Sequence, residues 1–318
     1  MSEKCEQGPL IAVVPWSDPE MHSALAAAVV AGGGVVANGG NVEHAVAMVW
    51  ADPAAASEFP SHLTRSPEAC WVQLPYAGVE AFAKYLDDEH IWTCGKGVYA
   101  QPVAEHVLAL ALAGFRNIHG YSTLAWSDPV GRNLFGARVT ILGAGGIADS
   151  LLALLEPFRC HTTVVRRRST SVPKADRTVA VSDLDSILPD TDVLVVAWAL
   201  TDETAGRIDA SVFHLLPNDA WLINVGRGGH VVTEDLVVAL EARTLGGAAL
   251  DVTDPEPLPA DHRLWQLPNC IITPHIANTP DMGRPLLAER VRENVELFVA
   301  APDRLDRLVG LVDVEAGY

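Results

Sequence analysis

Three stretches in the second half of the chain carry residues that could do acid–base chemistry together. They are Asn224-Val225-Gly226-Arg227-Gly228-Gly229, Asp251-Val252-Thr253-Asp254-Pro255-Glu256-Pro257 and Thr273-Pro274-His275-Ile276-Ala277. Each ends a short apolar, β-rich run, and the carboxyl ends of strands in one doubly wound sheet face a common crevice. Reducing a carbonyl beside a carboxylate needs a cation for the carboxylate and for the oxyanion that develops. It also needs an acid that works near neutral pH. Histidine suits that role, and a neighbouring carboxylate favours a protonated imidazole. Arg227, His275 and Glu256 fit these roles in turn. Singly, each has a plainer reading: Arg227 in a salt bridge, His275 as a capped turn residue, Glu256 on a solvated loop. Jointly, at successive strand ends beside a dinucleotide site, they favour chemistry.

That dinucleotide site is read from residues 138–168, RVTILGAGGIADSLLALLEPFRCHTTVVRRR. Residues 139–142 are a buried strand by composition. They run into Gly143-Ala144-Gly145-Gly146-Ile147-Ala148, the G-x-G-x-x-G/A pattern with alanine in third place. The first glycine allows the tight turn, the second lets the backbone approach a pyrophosphate, and the small third residue lets helix pack on strand. The helix that follows carries Leu151, Leu152, Leu154 and Leu155 for the sheet, and its N-terminus offers N–H groups and a positive dipole end to phosphate. Residues 162–165 form the next strand. Gly143, Gly145, Gly146 and Ile147 are therefore candidate cofactor contacts.

The tip of that second strand departs from the usual pattern. An NAD-binding unit has Asp or Glu about 20 residues past the glycines, for the ribose 2′-hydroxyl. Here stand Arg166, Arg167 and Arg168, and the next acids, Asp176 and Asp183, lie well down the following loop. Arginine forks pair bidentately with phosphate. Three adjacent arginines also run against a formal charge of −18. The position favours a 2′-phosphate site, hence NADP(H), with NAD(H) still possible; the plainer reading is a solvated charged turn.

The 318 residues suffice for two domains, and an apolar content of 49% excludes disorder over most of the length. The acidic balance argues against nucleic acid or an anionic membrane as main partner. The start, MSEKCEQGPL, lacks a signal-peptide pattern, and no run of about 18 apolar residues suggests a span. Cys5, Cys70, Cys94, Cys160 and Cys270 are scattered, with no C-x-x-C. Neither a metal site nor a disulfide framework is expected, and a cytoplasmic location fits.

Strand and helix alternate along the chain, the layout of a parallel α/β protein. Before the glycine turn, strands are expected at 10–14, 34–37, 47–51, 70–74 and 91–94, with helices at 21–31 and 79–86. The turn Pro75-Tyr76-Ala77-Gly78-Val79 offers small residues, exposed N–H groups and a helix start. It could hold an anion, and is equally read as an ordinary strand-to-helix turn. A helix at 103–115 is apolar nearly all round, as a helix buried between domains would be; its Glu105 and His106 read as packed or paired. Residues 117–134, with Trp126 and Pro129, are irregular. Strands at 193–198, 221–225, 248–252 and 270–273 join the two near the glycines in a six-stranded sheet. A helix at 285–299 is expected to pack back on the first domain.

Taken together, ILGAGGIA, GVYAQPVAEHVLALAL, WVQLPYAGVE, LINVGRGGHVV, GAALDVTDPEPLP and HRLWQLPNCIITPHIA resemble the D-isomer-specific 2-hydroxyacid dehydrogenase family, from about Cys70 to Asn278. The resemblance implies an α/β chain of two doubly wound parallel-sheet domains. A Rossmann cofactor domain, 102–282, would be inserted into a flavodoxin-like substrate domain, 1–101 and 283–318. His275 would be the proton donor in reduction, supported by Glu256. Arg227 would bind the substrate carboxylate and carbonyl, and the N–H groups of Ala77 and Gly78 the other carboxylate oxygen. Tyr76 and Trp265 would shape the substrate pocket. Thr204, Val225, Gly226, Asp251 and Asn278 would lie along the cofactor, Asp251 near the nicotinamide. A homodimer built through the cofactor domain would give residues 117–134 a purpose.

Within that family the arginines at 166–168 are similar to those of NADPH-dependent glyoxylate/hydroxypyruvate reductases. Trp198-Ala199-Leu200-Thr201 departs from the usual proline before Leu-Thr, and Glu256 speaks against the formate dehydrogenase branch. The expected activity is reduction of a small 2-oxo acid to the D-2-hydroxy acid. The alternatives are an NAD-dependent dehydrogenase of the phosphoglycerate type, with Lys84 and Lys96 as nearby cations, and a non-catalytic dinucleotide sensor.

Overall fold

Short runs of β-branched and aromatic residues, buried on both faces, form two all-parallel sheets. The computed structural model describes residues 8–123 and 128–314. It divides into two compact units, Met1–Tyr99 with Thr279–Tyr318, and Ala100–Asn278. The divisions precede those read from the sequence, because one helix already starts at Ala100 and the last at Pro280.

The first unit holds β1 (Leu10–Val14), β2 (Val35–Val36), β3 (Ala47–Trp50), β4 (Trp71–Gln73) and β5 (Ile91–Thr93), in the order β2-β1-β3-β4-β5. This is the flavodoxin-like order. One face is covered by the Pro19–Ala31 helix and by the last helix, Pro280–Ala300. Leu25, Val29, Leu287, Val291, Val295 and Phe298 share a core there with Ile11, Val13 and Trp71. Buried Asn294 pins that last helix: its Nδ2 donates to Gln73 Oε1 at 2.9 Å and to the Val309 carbonyl at 2.9 Å. The helix expected at 79–86 does not form. Val79 and Phe82 both turn into an aromatic core with Trp50, Phe59 and Trp92, and only a 3-10 turn, Ala83–Tyr85, remains. The last helix starts five residues earlier than expected, capped by Thr279. Pro285 is tolerated inside it, at the loss of one amide donor.

Among the described residues the sheet of the second unit has seven strands rather than six. They are β6 (Arg138–Leu142), β7 (His161–Arg166), β8 (Arg177–Ala180), β9 (Val193–Val196), β10 (Trp221–Asn224), β11 (Gly247–Leu250) and β12 (Cys270–Ile272). The order is β12-β11-β10-β9-β6-β7-β8, a dinucleotide-binding arrangement with one strand added beyond β11. The strand missed from sequence is β8. It pairs only with β7 and buries only Val179, so its composition reads as loop. The Ala100–Phe115 helix packs against the Gly146–Leu155 helix and β10, with Gly114 where a Cβ would come within 2.4 Å of the Trp221 ring. Of the irregular arm, Ile118–Thr123 is helical and Trp126 lies outside the described residues. Arg132 stacks over Phe115 at 4.0 Å and bonds Asp219 at 2.8 Å.

Candidate active site

The strand order of the second unit reverses between β6 and β9, and the glycine turn sits at that switch. Gly143 has φ +117°, and a Cβ there would lie 2.6 Å from the Ala197 carbonyl oxygen. Only glycine meets both conditions. Gly145 caps the Gly146–Leu155 helix without any side-chain bond, and the space where its Cβ would stand is open. Ala148 is fully buried against the sheet. The first turn thus presents backbone N–H groups to an unobstructed approach, the form of a phosphate cradle.

At the carboxyl end of β7, Arg166 donates to the Thr170 carbonyl at 3.4 Å while Arg167 and Arg168 point to solvent. Among the described residues none of the three forms an ion pair with a carboxylate. Asp176 accepts from the Thr162 amide at 2.7 Å and its hydroxyl at 3.0 Å. That places its carboxylate at the amino end of β7, away from the arginines.

The loops after β10, β11 and β12 are tied together. Asn224 Nδ2 donates to the Arg227 carbonyl at 2.9 Å, and its Oδ1 accepts from the Gly226 amide at 3.1 Å. Arg227 Nη1 donates to the Gly226 carbonyl at 2.8 Å, and its amide to His230 Nδ1 at 3.2 Å. The same Nδ1 lies 3.0 Å from the Arg227 carbonyl oxygen, and burial pushes the imidazole below its ordinary value. A Cβ on Gly228 would fall 1.9 Å from the Thr253 carbonyl oxygen, so the β10 and β11 loops are in direct backbone contact. From the β11 loop, Glu256 accepts from the Thr253 amide at 3.3 Å and meets His275 Nδ1 at 2.7 Å. An ionised carboxylate only accepts, so Nδ1 carries a proton and Nε2 is the nitrogen left for exchange. The histidine side chain is 52% exposed and the glutamate 41%, so a ligand can reach them.

His275 itself has φ +54°, a left-handed conformation that costs a non-glycine residue about 1 kcal/mol or more. Asp251 holds it there. The Asp251 carbonyl accepts from the His275 amide at 2.8 Å. Its Oδ1 accepts from the Ile276 amide at 2.9 Å and its Oδ2 from the Ala277 amide at 3.0 Å. The Thr273 hydroxyl donates to Oδ1 at 2.6 Å, and His106 Nε2 stands 3.0 Å from that hydroxyl. Burial alone would raise the carboxyl, but the histidine, the hydroxyl and the two amides outweigh it and hold Asp251 down at about 2. A depressed carboxyl contributes stability that is whole above its unfolded value and fades as pH falls through the folded one. For Asp251 the window is about pH 4 to 2, worth about 2 kcal/mol. Replacing Asp251 with Asn should therefore lower the urea midpoint at pH 6 and narrow the gap to wild type at pH 3. Equal gaps at both pH values would remove this account.

The Thr204 hydroxyl donates to the Ala199 carbonyl at 2.7 Å, closing the loop after β9. Val225 is buried at the end of β10. Asn278 Oδ1 is buried without a hydrogen-bond partner. Trp265 is half exposed, with Nε1 on the Pro259 carbonyl at 3.0 Å. In the first unit, Tyr76, Ala77 and Gly78 follow β4 in a turn with no helix behind it, so no helix dipole acts there. Tyr76 is half exposed and edge-on to Tyr99, whose hydroxyl donates to the Pro75 carbonyl at 2.6 Å. Sequence reading missed Thr273, and took His106 for a packed or paired residue. It is paired, with a partner 167 residues away that no local pattern announces.

Among the described residues no cluster of three or more His, Cys, Asp or Glu could hold a metal, Cys70, Cys94, Cys160 and Cys270 are free, and no helix is long and apolar enough to cross a membrane.

Residues 108–277 match the family model described as D-isomer specific 2-hydroxyacid dehydrogenase, NAD binding domain. An uncharacterised protein from the proB 3′ region of Corynebacterium melassecola is 39% identical over 274 residues, 83% of this chain and 87% of that one. Among solved structures, a D-isomer specific 2-hydroxyacid dehydrogenase from Xanthobacter autotrophicus Py2, in complex with NADPH and MES, is similar with a TM-score of 0.80. It is 26% identical, with 98% of this chain and 100% of that chain covered. An NADPH-dependent glyoxylate/hydroxypyruvate reductase from Sinorhizobium meliloti, in complex with NADP and sulfate, gives a TM-score of 0.78 at 26% identity, again covering 98% and 100%.

Proposed function

The chain belongs to the D-isomer specific 2-hydroxyacid dehydrogenase family and is an NAD(P)-dependent oxidoreductase, and we propose that it is an NADPH-dependent reductase of small 2-oxo acids. Glyoxylate and hydroxypyruvate come first as substrates and the D-2-hydroxy acid as product. The observation that carries the cofactor choice is the run Arg166-Arg167-Arg168 at the tip of β7, with no carboxylate beside it. Three features fit a dinucleotide phosphate: the open space at Gly145, the uncapped helix start, and the arginines. The buried, unpartnered Asn278 Oδ1 is a further acceptor suited to a ligand N–H.

NADPH, when bound, supplies the hydride. On the protein side, Arg227 would hold the substrate carboxylate and carbonyl oxygen, and the N–H groups of Ala77 and Gly78 the second carboxylate oxygen. Tyr76 and Trp265 would bound the substrate side chain. His275 Nε2 gives its proton to the carbonyl oxygen as that oxygen becomes an alkoxide. Glu256, on Nδ1, keeps the ring oriented and compensates the imidazolium before transfer. Thr204, Val225, Gly226 and Asp251 would line the cofactor along the strand ends. The reading includes a cytoplasmic homodimer, for which Ile118, Val130 and Phe135 supply exposed apolar side chains around the arm.

The test is an initial-rate assay of purified protein with NADPH and, separately, NADH against glyoxylate, hydroxypyruvate, pyruvate and a bulkier 2-oxo acid. Turnover preferring NADPH and the smaller acids supports the reading. A preference for NADH, or turnover confined to the bulky acid, overturns it.

A further inference from the structure

Behind the candidate proton donor lies a buried polar chain of His106, Thr273 and Asp251. Thr273 has one hydroxyl proton. Ionised Asp251, 2.6 Å away, can only accept, so that proton points to Asp251. His106 Nε2 approaches the same hydroxyl oxygen at 3.0 Å and Asp251 Oδ1 at 3.4 Å. Both neighbours are then acceptors, and His106 must carry its proton on Nε2. The chain runs from the apolar Ala100–Phe115 helix through His106 to Thr273 and Asp251, and on to three successive amides, those of His275, Ile276 and Ala277. Those amides keep His275 in its left-handed backbone, which aims its ring at Glu256.

We propose that His106 is a positioning residue: its Nε2–H locks Thr273 and Asp251, and through them the backbone of the proton donor. The proposal rests on the reading of His275 as that donor. It has a local logic. Without the His106 donor, Thr273 is held on one side only, and Asp251 Oδ1 loses a donor 3.4 Å away. A loop that must hold an unfavourable φ has little margin for such slack.

The test uses His106→Phe, which keeps ring volume without a donor, and His106→Gln, whose amide can donate in place of Nε2–H. In the cofactor-free protein, the amides of residues 275–277 should exchange hydrogen roughly tenfold faster in His106→Phe than in wild type or His106→Gln. In turnover with NADPH and glyoxylate, His106→Phe should lose roughly 10- to 100-fold in kcat with KM little changed, and His106→Gln should recover most of it. Unchanged exchange, a loss that falls in KM, or no recovery by glutamine overturns the proposal. His275→Ala is assayed alongside: if it retains turnover, the donor reading fails, whereas the exchange result still judges the positioning role.

Discussion

Replacing His275 with alanine is expected to lower kcat for 2-oxo acid reduction roughly a thousandfold while leaving NADPH binding unchanged. The size follows from the contribution of a positioned general acid, about 10²- to 10⁴-fold. The geometry argues for the upper half of that range. Glu256 occupies Nδ1 at 2.7 Å, so Nε2 is the nitrogen that can deliver a proton, and no neighbouring side chain described there duplicates it. The variant should fold. The ring is 52% exposed and supplies little core. The left-handed backbone is held by amides that alanine keeps, at a somewhat higher cost than histidine's. Initial rates, with NADPH affinity from fluorescence titration, separate the two effects. Turnover within tenfold of wild type would end the assignment; a parallel loss of NADPH binding would mean that the loop, rather than the proton, had been removed.

The double change Arg166→Ala and Arg167→Ala should raise the NADPH Kd by roughly 10²-fold and leave the NADH Kd within about threefold. Each charge-assisted hydrogen bond to a phosphate is worth about 1.5–3 kcal/mol. At an exposed strand tip screening takes the sum toward the lower end, about 3 kcal/mol. The same exposure sets a second signature: the preference for NADPH should shrink as salt rises from 0.05 to about 1 M, where the Debye length falls to about 3 Å. Equal weakening of both cofactors would mean that the arginines serve the loop and not a 2′-phosphate.

Sequence legibility tracks how local the cause is. Gly143 needs a positive φ and a close neighbour, both consequences of one tight turn, and the spacing of the glycines displays it. The arginines at 166–168 stand out because the strand before them fixes their position. The edge strand β8 escaped because half-exposed Arg177-Thr178-Val179-Ala180 has no apolar alternation to display. The helix expected at 79–86 had the composition for one, but Val79 and Phe82 find better burial among Trp50, Phe59 and Trp92 than on one helical face. Asp251 was legible as an acid at a strand end. Its hold on three amides and its pairing with His106 were not, because both depend on which loop the sheet order sets beside it.

The split first unit has a consequence for synthesis. Its sheet is complete by β5, yet the face made by Ile11, Val13, Leu25, Val29 and Trp71 is closed by Leu287, Val291, Val295 and Phe298. About 180 residues separate the two parts in sequence. At about 5–20 residues per second the ribosome delivers that last helix some 10 to 40 s after the sheet. Through that interval the nascent chain carries an apolar face without its cover, while the second unit, continuous from Ala100 to Asn278, emerges whole. The vulnerable moment for this sheet is thus the interval before the last helix emerges, when Leu287, Val291, Val295 and Phe298 cannot yet cover it.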